Sequence, residues 1–373
     1  MASLIRIALF GLAFLAAGAA SAEVRLGPPP EPGMLESPGS ALRNCDGFGG
    51  VSSSGDGVLR AGRGVDVVGR MEPSFEHSIA YCDRALLVLD EYPQYWVRRI
   101  SVMQSRAMHR LIAADADGAI EDLDSADALA PEPLNADYVR TLDVNARLIR
   151  ALALTMKGEH AAGEALALEA RLQRPYARAV LVAALMVLSQ RGEPAPMEPV
   201  LAELARLDPQ WRRAGPTARP LTPGDLRAFF MLMLDPDAPE RRAEGGESSR
   251  SLASMERARE INRRRCGAGP PPGGSLLQVC DFSRRDTGVA LEERVLYQAA
   301  QATIAQGASH FVIEARRDIS HWAVSPYSRI NDQSGYESVL TFRAFSDNEG
   351  CASCISAIDI VRDLDRYAPQ ADE

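Results

Sequence analysis

The sequence predicts an α + (α+β) protein: a solenoid of helical hairpins over about 73–210, then a small α+β domain with a short, mainly antiparallel sheet over 275–368. Three observations carry this. Prolines close four segments of helical apolar period: "LDEYP" at Pro93, "DALAP" at Pro131, "RLQRP" at Pro175 and "ARLDP" at Pro209, with gaps of 38, 44 and 34 residues. A drifting period of that size is the mark of paired helices stacked in a row. A Gly/Pro-rich break, "GAGPPPGGS" (267–275), then separates a region of different texture. In that region "SHFVIEARRD" (309–318) and "YESVLTFRAF" (336–345) alternate as strands do.

The first element is "MASLIRIALFGLAFLAAGAASAEV". Arg6 supplies a positive start, Ile7 to Ala17 an apolar run, and "ASA" (20–22) a small-x-small cleavage site. Residues 1–22 read as a secretory signal peptide cleaved after Ala22, its apolar run too short for a relaxed membrane span of about 20 residues. Residues 23–72 read as a flexible leader, with "GPPPEPG" (27–33) and the Gly/Ser-rich stretch 45–70. "GFGG" (47–50) is too short for a phosphate-binding loop. Export makes the six cysteines a disulfide set, because an even count in an oxidising compartment favours pairing. Six cysteines allow 15 complete pairings, which sequence alone cannot rank. Proximity suggests Cys45–Cys82, Cys266–Cys280 and Cys351–Cys354.

The formal net charge is −9 and Lys157 is the only lysine, so nearly every cation is arginine. An acidic chain is a poor nucleic-acid binder, since phosphate neutralisation supplies most of that affinity. The arginine run "INRRRC" (261–266) reads as an exposed linker or helix end.

Within "DGAIEDLDSADALAP" (117–131) alanines stand where a core helix would carry leucines. Small side chains at a helix contact let backbones approach closely, and a larger one would overpack by roughly 1–3 kcal/mol. Counting back from Pro131, small residues fall at Ala107, Ala119 and Ala126, with Leu123 large. Counting back from Pro175, they fall at Ala151, Gly163 and Ala170, with Ala167 at the large position between Leu166 and Leu168. This pattern resembles the tetratricopeptide repeat over about 77–209. The unit ending at Pro209 departs from it, with Leu185, Met197 and Leu204 at small positions and Pro194, Pro196 and Pro199 crowding its second helix. "HSIAYCDRALLVLDEYP" reads as a second helix alone.

Residues 211–274 lose the period and read as a linker with short capping helices, "DLRAFFMLML" (225–234) and "SMERAREINRRR" (254–265). The C-terminal domain reads strand (275–283), helix (290–307, stopped by Gly307), two strands and a closing helix (356–369), with 369–373 as a tail. "RVLYQAAQATIAQGASHFVI" resembles a small domain of bacterial envelope proteins and lipoproteins. That resemblance implies a fold and no catalytic residue.

No catalytic residue, metal site or cofactor site emerges. "CASC" (351–354) is the sharpest local signal, and its plainest reading is a structural disulfide. His77, His109, His160, His310 and His321 form no ligand spacing and read as solvated or hydrogen-bonded surface histidines. His310 and His321 are expected to flank one strand and point toward one end. Asp115 and Asp117 suit the start of a helix and fall short of a calcium loop. The expected function is an exported, non-enzymatic scaffold of the bacterial periplasm or envelope, or secreted. It would bind a protein or peptide, with no nucleic acid and no membrane span. Its groove would be lined by Arg99, Gln104, Arg110, Asn145, Arg147 and Arg150 from the first helices of the hairpins. The alternative is a thiol–disulfide redox protein using Cys351 and Cys354.

Overall fold

Proline stops and small contact residues dictate the helical half. The computed structural model describes residues 41–42, 45–46, 75–130, 136–191, 195–209, 211, 276–283, 288–324, 331–347, 351 and 353–365. The helices run α1 (Phe75–Asp90), α2 (Trp96–Ile112), α3 (Ala116–Asp127), α4 (Val144–Met156), α5 (His160–Gln173), α6 (Arg178–Leu188) and α7 (Glu198–Leu207). A helical turn Ala136–Tyr138 and a π-helical segment Val139–Asp143 lead into α4. Each helix packs on the next along α1–α2–α3 and α4–α5–α6–α7, and α4 also packs on α2, α3 and α6. Helix α2 is buried on nearly every side, as a central helix must be.

Two hairpins are built alike. In α2–α3 the turn Ala113–Ala114–Asp115 closes with Ala113 N donating to His109 O, Ala114 N to Leu111 O and Asp115 N to Arg110 O. In α4–α5, Lys157, Gly158 and Glu159 donate to Ala153, Thr155 and Leu154, the same bonds displaced by 44 residues. The middle residue is left-handed in both, Ala114 at φ 65° and Gly158 at φ 83°. The small positions are sealed: Ala107, Ala119, Ala126, Ala151 and Ala170 have no solvent exposure. At Gly163 a Cβ would stand 2.8 Å from the Ala151 carbonyl oxygen and 2.6 Å from Thr155 Oγ1, so helix α5 can lie this close to α4 only without one. In the third hairpin the larger Leu185, Met197 and Leu204 are buried as well.

The C-terminal part follows as β1 (Leu276–Ser283), α8 (Gly288–Ala305), β2 (His310–Val324), β3 (Asn331–Phe345), β4 (Ile355–Ser356) and α9 (Ala357–Leu364). The strands form one antiparallel sheet in the order β1-β3-β2-β4. Helix α8 packs across β1, β3 and β2 and against α9, and Gly307 at φ 73° ends its last turn. Strands β2 and β3 are longer than their alternation predicts, because the hairpin pairs on from Ser320–Tyr336 out to Val324–Asn331. Helix α9 runs Ala357–Leu364, and the expected end at 369 lies outside the described residues. Phe311 and Phe342 meet edge to face at 5.6 Å in the core under α8. One hydrophobic core runs without interruption from Ala107 of α2 to Leu364 of α9.

Two disulfides fall where proximity placed them, Cys45–Cys82 and Cys351–Cys354, with Cα atoms 4.6 and 5.4 Å apart. Cys280 is disulfide-bonded too, and Cys266 lies outside the described residues. So do the expected helices 225–234 and 254–265 and the run 261–266. The reading of 23–72 as a flexible leader fails at Ala41, Leu42, Cys45 and Asp46, all of them buried. Among the described residues no helix is long and apolar enough to cross a membrane.

The matched turns set up a paired test. Ala114→Gly relieves a left-handed alanine and raises unfolding stability by about 0.5–1 kcal/mol. Gly163→Ala forces α5 off α4 and lowers it by about 1–3 kcal/mol. Urea unfolding followed by circular dichroism reads both.

Candidate functional site: the helix–sheet junction

The six residues expected to line a groove are turned inward or laced to neighbours. Gln104 and Asn145 are each 1% exposed. Gln104 Nε2 donates to the Leu142 carbonyl at 2.9 Å, and Asn145 Nδ2 donates to Gln104 Oε1 at 2.6 Å. They are a buried polar link between α2 and the π-segment and α4, and so are not groove residues. The arginines are exposed enough to meet solvent, yet each meets its own chain's carboxylates. Arg99 pairs with Asp90 at 2.5 Å, and Arg110 with Asp122 at 3.2 Å. Arg147 pairs with Asp143 and Glu169 at 2.9 and 2.6 Å. Arg150 reaches Asp124 and Asp127 at 2.7 and 2.8 Å. A guanidinium on a first helix thus meets acids of a flanking helix or turn; Arg106 does the same with Asp83 and Asp122.

The remaining candidates separate in the same way. The Cys351–Cys354 bridge is half-buried and precedes α9, whose cap position is taken by Ser356 accepting from Asp359 N at 3.2 Å. The Asp359 N–H therefore serves a serine. Asp115 caps α3 by accepting from Gly118 N at 2.9 Å, and Asp117 pairs with Lys157 at 2.7 Å. His109 corrects the surface-histidine expectation: it is 1% exposed, and burial pushes its imidazole below the ordinary value. His310 and His321 pair with Phe345 and Gly335, so they sit eleven residues apart on β2 and do not share an end. The side chain of His77 lies outside the described residues. Among the described residues no group of three or more His, Cys, Asp or Glu could hold a metal ion.

Among the described residues, a dense cluster of ionised side chains lies elsewhere, where helices meet sheet. Its centre is "RPYAR" (174–178), the turn from α5 to α6. Pro175 follows the end of α5, and Arg174, Tyr176 and Arg178 around it reach the C-terminal part. Arg174, 2% exposed, grips Glu293 of α8, with Nη2 donating to Oε2 at 2.9 Å and Nε to Oε1 and Oε2 at 3.2 and 3.1 Å. Arg140, from the π-segment, donates to the same carboxylate at 2.6 Å. Tyr176 donates to Asp363 of α9 at 2.8 Å. Arg178 donates to Asp208 and Glu292, each at 2.5 Å, and to Asp318 of β2. Arg316 of β2 donates to Asp318 at 2.8 Å and lies 3.5 Å from Glu292, and Ser338 donates to Asp318 at 2.6 Å. Four guanidinium groups thus face four carboxylates.

A β-bulge at Ile313/Ala315 makes this possible. Strict alternation after Phe311 and Ile313 would turn Ala315 and Arg317 to the helix side. The inserted residue shifts the phase, so Arg316 pairs with Leu340 and Asp318 with Ser338, on the face of Phe342. Burial alone would raise the Asp318 carboxyl, but Arg178 and Arg316 beside it hold it well below the usual carboxylate range. Burial likewise opposes the charge of Arg178, and Asp318, Glu292 and Asp208 outweigh it, so that guanidinium holds its proton more tightly than usual. Sequence reading missed the cluster because the contacts of Arg140, Arg174 and Arg178 with Glu292, Glu293 and Asp318 span 114 to 153 residues. The one local signal was two arginines astride a helix-ending proline.

Chemically the junction is a closed, charge-balanced clamp. No family model, no curated protein and no solved structure matches the chain.

Two measurements follow from this geometry. Asp318→Asn leaves Arg178 and Arg316 short of one buried counter-charge and costs about 3–5 kcal/mol at pH 7. The native carboxyl is depressed, so its contribution is complete above the unfolded value of about 3.9 and fades below it. The gap between native and variant stability is therefore flat from pH 8 to about 5 and narrows below about 4. The disulfides are unequal: the Cys45–Cys82 bridge, spanning 37 residues, adds about 4 kcal/mol on chain entropy, while Cys351–Cys354, spanning three, adds about 1–2. Serine pairs at each bridge, unfolded in urea, check that order.

Proposed function

We propose that the chain is an exported, non-enzymatic scaffold of the bacterial cell envelope that binds a protein or peptide partner. The observation that carries this reading is the recurrence of one hairpin. Helices α2–α3 and α4–α5 share turn bonds, left-handed residue and small contact positions at a constant offset of 44 residues. Repeated hairpins in a tetratricopeptide-like solenoid present an extended surface that recognises segments of other chains by shape and charge. The signal-peptide-like start and the disulfides support a compartment outside the cytoplasm. The clamp adds the sheet as a rigid flank to that surface. With Gln104 and Asn145 buried, recognition falls to the exposed sides of the hairpins. There the arginine–carboxylate pairs can exchange an internal acid for a partner's acid at little net cost, because exposed ion pairs contribute only about 0–1 kcal/mol each.

Protein recovered from the envelope fraction is expected to begin at Glu23 by intact mass. A photoreactive residue placed at Arg147 or Arg150 in the living cell is expected to capture a defined envelope protein. Protein found in the cytoplasm with residues 1–22 attached would refute the proposal, as would capture that is no greater than from a site on α8.

A further inference from the structure

The Cys45–Cys82 and Cys351–Cys354 bridges differ in access. Cys45 and Cys82 have no exposure, whereas Cys351 and Cys354 are half-buried, so an attacking sulfur can reach the second bond and not the first. The backbone around the second bond is held without it. Ser309 N donates to the Phe345 carbonyl at 3.0 Å and Ala357 N to the Ser309 carbonyl at 2.9 Å. Ile355 and Ser356 pair with Phe311 and His310, and Ser356 caps α9. A bridge that spans three residues removes little chain entropy, so the fold does not hang on it.

A histidine shares the face of this bridge. Burial alternates over 354–357: Ile355 and Ala357 are buried, Cys354 and Ser356 half-buried. Cys354 therefore continues the outer face of β4. Residues directly opposite share a face, so His310, opposite Ser356, stands on it too, diagonal to Cys354 and within side-chain reach. The ring proton of His310 can be placed. Ser309 Oγ donates to the Ser346 carbonyl at 2.6 Å, and a carbonyl only accepts. The hydroxyl proton is then spent, so the 2.8 Å contact between Ser309 Oγ and His310 Nδ1 takes its hydrogen from the ring. The neutral imidazole is left with a bare lone pair on Nε2, which has no partner among the described residues.

We propose that Cys351–Cys354 is a thiol–disulfide exchange site for a dithiol-bearing protein or peptide, with His310 Nε2 as its proton relay. A partner's thiol gives its proton to Nε2, and the thiolate attacks Cys351 Sγ. The S–S bond breaks, its electron pair goes to Cys354 Sγ, and the imidazolium returns the proton there. The partner's second thiol then displaces Cys351 from the mixed disulfide, its proton passing to the Cys351 sulfur. The partner leaves as a disulfide and the chain is left as a dithiol, two electrons and two protons having passed. A disulfide oxidant, itself reduced to two thiols, restores the bridge. The exchange is stoichiometric with the bridge, and it goes beyond the scaffold reading without resting on it.

The test uses the full oxidised chain in reduced glutathione at neutral pH, quenched by alkylation and mapped by mass, with circular dichroism alongside. Cys351 and Cys354 are expected to take up the label while Cys45–Cys82 stays closed and the helical signal holds. Opening of both bridges together, with loss of that signal, would overturn the site. His310→Ala, folded by the same signal, is expected to slow the opening about tenfold, and imidazole added to the buffer to restore it. An unchanged rate would overturn the relay. A second measurement keeps the native histidine. In Cys351→Ser the thiol left at Cys354 is expected to react with dithiobisnitrobenzoate about tenfold faster than the thiol left at Cys351 in Cys354→Ser. Equal rates would take His310 away from Cys354 and overturn the relay by an independent route.

Discussion

The molecule depends on five consecutive residues, Arg174 to Arg178, that pin the helices to the sheet. Arg174 and Arg178 carry charges that burial disfavours, and each is compensated by carboxylates from distant parts of the chain. Such groups are tolerated inside a protein only when every charge meets its opposite in good geometry. The junction approaches that condition by drawing on a helix turn, a π-segment, a helix and a bulged strand, although Arg316 Nη2 and Glu292 Oε2, 3.5 Å apart, make no hydrogen bond. Movement of any one of these exposes a charge imbalance to the other three. The apolar core that continues across the junction reinforces the same coupling without supplying its specificity.

Backbone proximity is the second organising constraint. Hairpins can stack tightly where a methyl group or a hydrogen atom marks the contact, and Gly163 under the Ala151 carbonyl is the tightest case. Helix α4 then touches α2, α3, α5 and α6, and the arginines on the outer faces find acids on the adjoining helices.

Much of this was legible in residue order. Prolines and small residues marked the helices, because chain termination and close approach are local demands. The order of strands and helices after residue 275 was legible from alternation and Gly307. What escaped was non-local. The bulge at Ile313/Ala315 changed which face Arg316 and Asp318 occupy, and alternation cannot report an inserted residue. Cys45 and Asp46 sat in a Gly/Ser-rich stretch whose composition speaks for solvent, while their partners Cys82, Arg98 and His109 lay in helices. For the groove, helical spacing located Gln104 and Asn145 on the right helices but could not say that a π-segment would turn its carbonyl toward them.

The pairing of Lys157 with Asp117 at the tip of the second hairpin has a practical corollary. Apart from the amino terminus, the chain offers a single primary amine. Side-chain acylation thus has one defined target, where a fluorophore can report on the α4–α5 turn without touching the buried clamp. The neighbouring aspartate holds that amine protonated above its ordinary range, so conjugation will be slow and is best driven by alkaline buffer.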